Sequence, residues 1–241
     1  VAAFILVPGA WHGAWCWELV APRLAERGHR VLAPDLPGMG SDRRPLKELA
    51  FDDWVDFVAG LAKAQDEPVV LVGHSRAGIV ISQAAERAPD AIRASVYLAA
   101  MLVPDGRRMS DVFGEVPGDP AVAAGVSPHD EASVALDPAL LATHFYNTTP
   151  PELVARAARH LTPEPLFSSA AELQLTDERF GRVPRVYVEC LHDRSVPLAL
   201  QRRMREVVPC GRVEVLDTDH SPFYSAPDAL AEILSDIAAH A

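Results

Sequence analysis

A β run that stops on a glycine and turns at once into helix constrains this chain more than any other stretch: residues 68–78 read Pro-Val-Val-Leu-Val-Gly-His-Ser-Arg-Ala-Gly. The β-branched and apolar residues 69–72 predict a strand, and helix-compatible sequence resumes at Arg76, which leaves Ser75 on a sharp strand-to-helix turn. A serine placed there holds its hydroxyl out from the protein. Gly73 and Ala77 flank it because strand and helix approach closely, and larger side chains would collide. Ala77 stands where this turn motif has glycine; its methyl disfavours positive φ.

The rest of the chain alternates around this turn. Residues 4–7 form a short continuous apolar run, as expected of a strand buried on both faces. After Pro8-Gly9 come helical spacing through Leu19, Val20 and Leu24, a stop at Gly28 and a second strand over 30–33. Residues 34–45 read as loop, and Phe51, Trp54, Val55, Val58 and Leu61 as one stripe of a helix over 51–64. A helix over 79–87 and a strand over 94–99 follow the turn. From 103 to 182 the rhythm breaks: strand runs are lacking, and Pro-Gly loops separate helical stretches such as 138–146 and 150–160. Strands at 185–190 and 212–216 and helices at 197–207 and 226–239 then resume the alternation. The expectation is an α/β fold with a mostly parallel sheet of about six strands flanked by helices. Residues 1–102 and 183–241 form its core, and 103–182 a helical cap inserted into it.

Composition narrows the function. A net charge of −11 opposes attraction to phosphate backbones or anionic lipid, and no basic cluster reverses it locally. No nucleic-acid or membrane partner is expected. Cys16, Cys190 and Cys210 form no C-x-x-C pair and leave one thiol over in any disulfide scheme, which suits a reducing, cytoplasmic setting. The first residues run straight into a strand without a leader-like segment. No His/Cys/Glu cluster has metal spacing, and no Gly-rich phosphate fingerprint follows a strand, so neither metal nor cofactor is expected.

In a parallel sheet the loops after the strand ends gather on one edge. Serine is a poor nucleophile near neutral pH and needs a histidine to take its proton and a carboxylate to orient the ring. Asp193 follows the strand ending at Cys190 and His220 the strand ending at Leu216, giving the order Ser75, Asp193, His220. Asp217, Asp219 and His192 compete but fit less well. Asp219 is joined directly to His220, and His192 shares the acid's own loop. The oxyanion of an acyl transfer needs two N–H donors. One is the backbone of Arg76, after the nucleophile; the other is Ala10 in the loop 8–13, since Pro8 has no N–H to give. The Arg76 side chain reads as a surface salt bridge, with an anionic substrate group or an acidic cap residue as the other partners weighed. Trp11, Trp15 and Trp17 with the cap aromatics, Tyr146 among them, are candidates to line an apolar pocket. The candidate set adopted is Trp11, His12, Met101, Phe113, Phe145 and Phe167.

With these loops placed, the chain resembles the plant methylesterase and hydroxynitrile lyase family of α/β-hydrolases over nearly its whole length. The likeness rests on Phe-Ile-Leu-Val-Pro-Gly-Ala-Trp-His-Gly-Ala-Trp-Cys-Trp at 4–17, Gly-His-Arg-Val-Leu-Ala-Pro-Asp-Leu at 28–36 and the turn at Ser75. Thr-Asp-Glu-Arg-Phe-Gly at 176–181, the Asp193 loop and Asp219-His220 complete it. The resemblance implies an α/β-hydrolase fold, the triad Ser75, Asp193 and His220, and backbone donors at Ala10 and Arg76. Pro8 stands where the family usually has His, and Ala77 where it has Gly. The lyase branch carries a threonine matching Gly9 and a lysine directly after the triad histidine, where this chain has Ser221. The expected activity is therefore hydrolysis of small carboxylic esters through an acyl-serine. Cyanohydrin cleavage on the same triad, or ligand binding with little turnover, are the alternatives. The expected partner is a small-molecule ester; a homodimer is a candidate assembly, and the oligomeric state is left open by the sequence.

Overall fold

The computed structural model describes residues 1–240; Ala241, the last residue of the expected core segment, lies outside them. The first strands in chain order are β1 (Ala3–Val7), β2 (Arg30–Leu32), β3 (Val69–His74) and β4 (Ile92–Leu98). Then come β5 (Val126–Pro128), β6 (Ser133–Leu136) and β7 (Glu164–Pro165), and finally β8 (Arg185–Cys190) and β9 (Arg212–Leu216). Six of these form one sheet in the order β2-β1-β3-β4-β8-β9, every neighbouring pair parallel. Parallel strands need crossover connections, and three helices make those from β1 through β4: α1 (Val20–Glu26), α2 (Phe51–Lys63) and α3 (Ala77–Arg87).

Alternation along the strands sends side chains to two cores. Ile5, Val7, Leu71 and Tyr97 pack with Trp54 and Val58 of α2 and Ile81 of α3 on one face. Phe4, Leu6, Val70, Val72 and Val188 pack with Leu24 of α1 and Leu230 and Leu234 of the helix Pro227–His240 on the other. A sheet covered on both faces explains why its inner strands read as unbroken apolar runs.

The strand order also selects an edge for the site. From β1 the chain crosses to β2 on one side, and from β3 it crosses to β4 on the other, so the loops after β1 and β3 diverge and leave a crevice at the sheet's carboxyl edge. Val7 pairs with Gly73, so both loops begin at the same height.

Between β4 and β8 the helical turns are shorter than the spacing predicts. The stretch 138–146 is a 3-10 turn (Pro138–Leu140) and one π turn (Leu141–Phe145), and 150–160 yields Pro151–Ala158. This segment also carries a three-stranded antiparallel sheet, β5-β6-β7, where no strand was expected. At two to four residues each, and with prolines in two of them, these strands are too short to show a period.

Candidate active site

β3 ends at His74 and α3 starts at Ala77, so the chain reverses over Ser75 and Arg76. The positive φ of this turn falls on Ser75, at 53°, and not on Ala77, whose methyl is therefore unstrained and buried. The glycine that the turn requires is Gly78. A Cβ there would sit 2.2 Å from the Met101 carbonyl oxygen, while Met101 in turn donates its N–H to the Ser75 carbonyl at 2.9 Å. Gly9 is equally confined: a Cβ on it would lie 2.7 Å from His74 Nδ1 and 2.9 Å from Ser75 Cβ.

Ser75, His220 and Asp193, distant in sequence, are joined in one hydrogen-bonded row. His220 Nε2 lies 2.9 Å from Ser75 Oγ, and His220 Nδ1 lies 2.6 Å from Asp193 Oδ2. An ionised carboxylate can only accept, so the ring proton sits on Nδ1 and Nε2 is left to accept from the serine hydroxyl. Asp193 has further donors: the Ser195 and Val196 amides on Oδ1, and Gln201 Nε2 on Oδ2. Burial pushes its carboxyl above the usual carboxylate range, while His220 and the two amides pull the other way. His74 donates from Nε2 to the His220 carbonyl at 2.8 Å, so the residue before Ser75 anchors the backbone of His220. Phe145 sets its ring edge-to-face against His220 at 5.5 Å between centroids.

The competing assignments resolve into other roles. His192 pairs with Asp217 at the surface. Asp219 is buried and accepts four bonds, from the amides of Thr148 and Ser221 and the hydroxyls of Thr149 and Ser225, and none from an imidazole. It ties the loop after Phe145 to the His220 loop.

Among the described residues, neither the Ala10 nor the Arg76 amide donates to a protein acceptor. Arg76 also lies at the N-terminal end of α3, where the helix dipole favours negative charge. The Arg76 side chain departs from the surface salt bridge expected of it. It is 2% exposed and pairs with Glu164 of β7, 5% exposed, at 2.8 Å. Its guanidinium stacks on Trp54, 4.2 Å from the ring centroid.

The pocket candidates scatter. Trp11 and Phe145 meet edge-to-face at 5.8 Å, next to His220. His12 sits in a buried aromatic cluster: Nδ1 donates to the Ala10 carbonyl, and Nε2 accepts from the Tyr146 hydroxyl, both at 2.6 Å. Burial lowers its pKa to about 4, so the ring is neutral. Trp15 stacks on His12, and Trp17 packs on Phe223. Met101 is in the core with its backbone against the elbow, Phe167 packs on Trp54, and Phe113 is 39% exposed. An apolar cleft of about 290 Å³ lined by Ala94, Arg185 and Arg212 lies at the opposite edge, where strands begin, far from these groups.

Among the described residues no group of three His, Cys, Asp or Glu side chains is arranged to hold a metal, and no helix is long and apolar enough to cross a membrane. Glu164, Gln201 and the anchoring bond of His74 escape sequence reasoning. Glu164 sits in a Thr-Pro-Glu-Pro loop of an acid-rich chain, with nothing local to mark it.

The sequence matches the profile of the alpha/beta hydrolase family over residues 4–233. It is 32% identical over 252 residues to methylesterase 7 of Arabidopsis thaliana, covering 98% of this chain and 95% of that protein. Salicylic acid-binding protein 2 of Nicotiana tabacum is also 32% identical over 252 residues, with 98% and 96% covered. Among solved structures, polyneuridine aldehyde esterase superposes with a TM-score of 0.89 at 29% identity, covering 98% of this chain and 99% of that one.

Proposed function

The chain belongs to the alpha/beta hydrolase family, and we propose that within it this protein is a serine carboxylesterase acting on small carboxylic esters. The observation that carries the reading is the row Ser75 Oγ, His220 Nε2, His220 Nδ1, Asp193 Oδ2, with contacts of 2.9 and 2.6 Å. Ser75 Oγ attacks the ester carbonyl and passes its proton to His220 Nε2. The imidazolium so formed keeps its Nδ1–H on Asp193, which stabilises the charge. The Ala10 and Arg76 amides receive the oxyanion, each donor contributing roughly 10²–10³ in rate. His220 then returns the proton to the departing alcohol, leaving an acyl-serine. Water repeats the sequence in the second half and frees the acid.

Relatives named as methylesterases support an ester substrate. Lyase chemistry lacks its parts: the space around Gly9 has no room for a threonine side chain, and Ser221 follows His220 where a cation would be needed. Turnover of 4-nitrophenyl acetate and of mandelonitrile by wild type and Ser75→Ala tests the proposal. The expected result is ester turnover abolished by the substitution and no cyanide release. Ester turnover unchanged in Ser75→Ala, or cyanide release without esterase activity, refutes it.

A further inference from the structure

A nucleophile elbow asks only for a backbone N–H from the residue after the serine, so a buried guanidinium there needs a reason. A buried ion pair pays heavily in desolvation, and an apolar pair of the same volume is commonly as stable or more so. What the pair holds in place is therefore the informative point.

Arg76 Nε donates to Glu164 Oε1 at 2.8 Å, and Nη2 donates both to Glu164 Oε2 at 3.3 Å and to the Gly9 carbonyl at 3.0 Å. The Gly9 carbonyl and the Ala10 N–H are the two ends of one trans peptide and point in opposite directions. The same carbonyl accepts from the His12 N–H at 3.3 Å, a longer bond than the 3.0 Å one from Arg76, and the two donors together fix the direction of the Ala10 N–H, away from the guanidinium. The next peptide is clamped as well. Its carbonyl, that of Ala10, accepts from His12 Nδ1, and its N–H, that of Trp11, donates to Glu164 Oε2 at 3.2 Å. Trp11 is held at φ 61°, which a bulky residue disfavours unless its surroundings impose it. One ion pair therefore grips both peptides that flank the Ala10 Cα.

We propose that the Arg76 side chain and Glu164 form a clamp that orients the oxyanion donors, with Arg76 supplying one donor from its backbone and aiming the other through Gly9. The inference rests on the esterase reading. The charge-assisted bond also polarises the Gly9–Ala10 peptide, making its N–H a stronger donor. Because Glu164 comes from β7, the clamp makes the hole depend on the segment between β4 and β8 being seated. Nε and Nη2 are taken by Glu164 and Gly9, and Nη1 is buried without a partner, so an anionic substrate group could meet this guanidinium only at Nη1.

The test is the double variant Arg76→Leu/Glu164→Gln, which removes both charges together and so leaves neither buried alone. Two readouts are taken on the folded protein: the orientation of the Gly9–Ala10 peptide in a crystal structure, and 4-nitrophenyl acetate kinetics. The peptide is expected to rotate, with kcat and kcat/KM falling together by about 10-fold to 10²-fold, less than the loss of a donor outright. A folded variant with wild-type kcat, or with the peptide in its wild-type orientation, overturns the proposal. If the double variant does not fold, Arg76→Met/Glu164→Gln serves: the unbranched methionine keeps closer to the length of the arginine stem but donates to neither Glu164 nor Gly9, and the same two readouts decide. A wild type with no ester turnover refutes the esterase reading instead, and the peptide orientation still decides whether the clamp exists.

Discussion

Replacing Asp193 by Asn changes one atom of the site and should nearly silence it. Oδ1 of Asp193 faces two amide donors, and Oδ2 faces Gln201 Nε2 and His220 Nδ1, so an NH2 group at either position meets donors. The less costly outcome puts the amide nitrogen toward His220, where the imidazole can change tautomer and accept through Nδ1. Nε2 then carries the proton and points it at Ser75 Oγ, 2.9 Å away, where it cannot take the serine proton. The same exchange in serine proteases lowers kcat by about 10⁴, or about 5.5 kcal/mol of transition-state stabilisation. Stability should move far less. A conflicting buried donor pair costs about 1–3 kcal/mol, but a carboxylate already strained by burial is removed at the same time. The expected result is therefore kcat for 4-nitrophenyl acetate down about 10⁴-fold with Tm lowered by no more than several degrees. Asp219→Asn supplies the contrast: its four donors hold loops together, so Tm should fall and kcat should stay within about tenfold. A folded Asp193→Asn enzyme losing less than about tenfold would refute the tautomer reasoning.

Further outcomes follow from the same contacts. Gly9→Thr forces a side chain against His74 and Ser75, so kcat/KM for esters should fall by at least about tenfold without any gain of cyanide release; unchanged esterase kinetics would contradict the confinement at Gly9. Gly78→Ala drives a methyl into the Met101 backbone at about 3 kcal/mol, against about 1 kcal/mol returned by helix propensity, so Tm should drop several degrees, and a rise would speak against it. His12 is neutral in the fold with a pKa near 4, whereas the unfolded ring titrates near 6.5. Its contribution is complete above pH 6.5 and is lost as pH falls toward 4, at about 1.4 kcal/mol per unit and about 3 kcal/mol in all. Urea unfolding of His12→Asn between pH 8 and pH 4.5 should therefore show a shallower acid limb than wild type, and equal limbs would count against a buried neutral ring.

The parallel sheet was legible because its strands are buried on both faces and so read as unbroken apolar runs, bounded by Gly and Pro. The positions of Ser75, Asp193 and His220 after three strand ends followed from the same pattern, and their loops meet at the carboxyl edge. What escaped reading depended on contacts between segments far apart in sequence. The strands β5 to β7 are too short to carry a period. Arg76 looked like a surface cation because charge favours water; only Glu164, 88 residues on, makes its burial tolerable. Similarly, a Trp-His pair in a Gly-rich loop suggested pocket walls, yet Tyr146, 134 residues on, bonds His12 within a buried cluster. Ala77 appeared out of pattern because the strained φ was placed on it rather than on Ser75.

The most direct test of the central claim is the site of covalent capture by an alkyl fluorophosphonate, mapped by peptide mass spectrometry on wild type, His220→Ala and Ser75→Ala. The geometry predicts one adduct, on Ser75, formed rapidly in wild type, slowly in His220→Ala, and not at all in Ser75→Ala. An adduct on another residue, or labelling of Ser75 at the same rate without His220, would contradict a serine activated by that histidine.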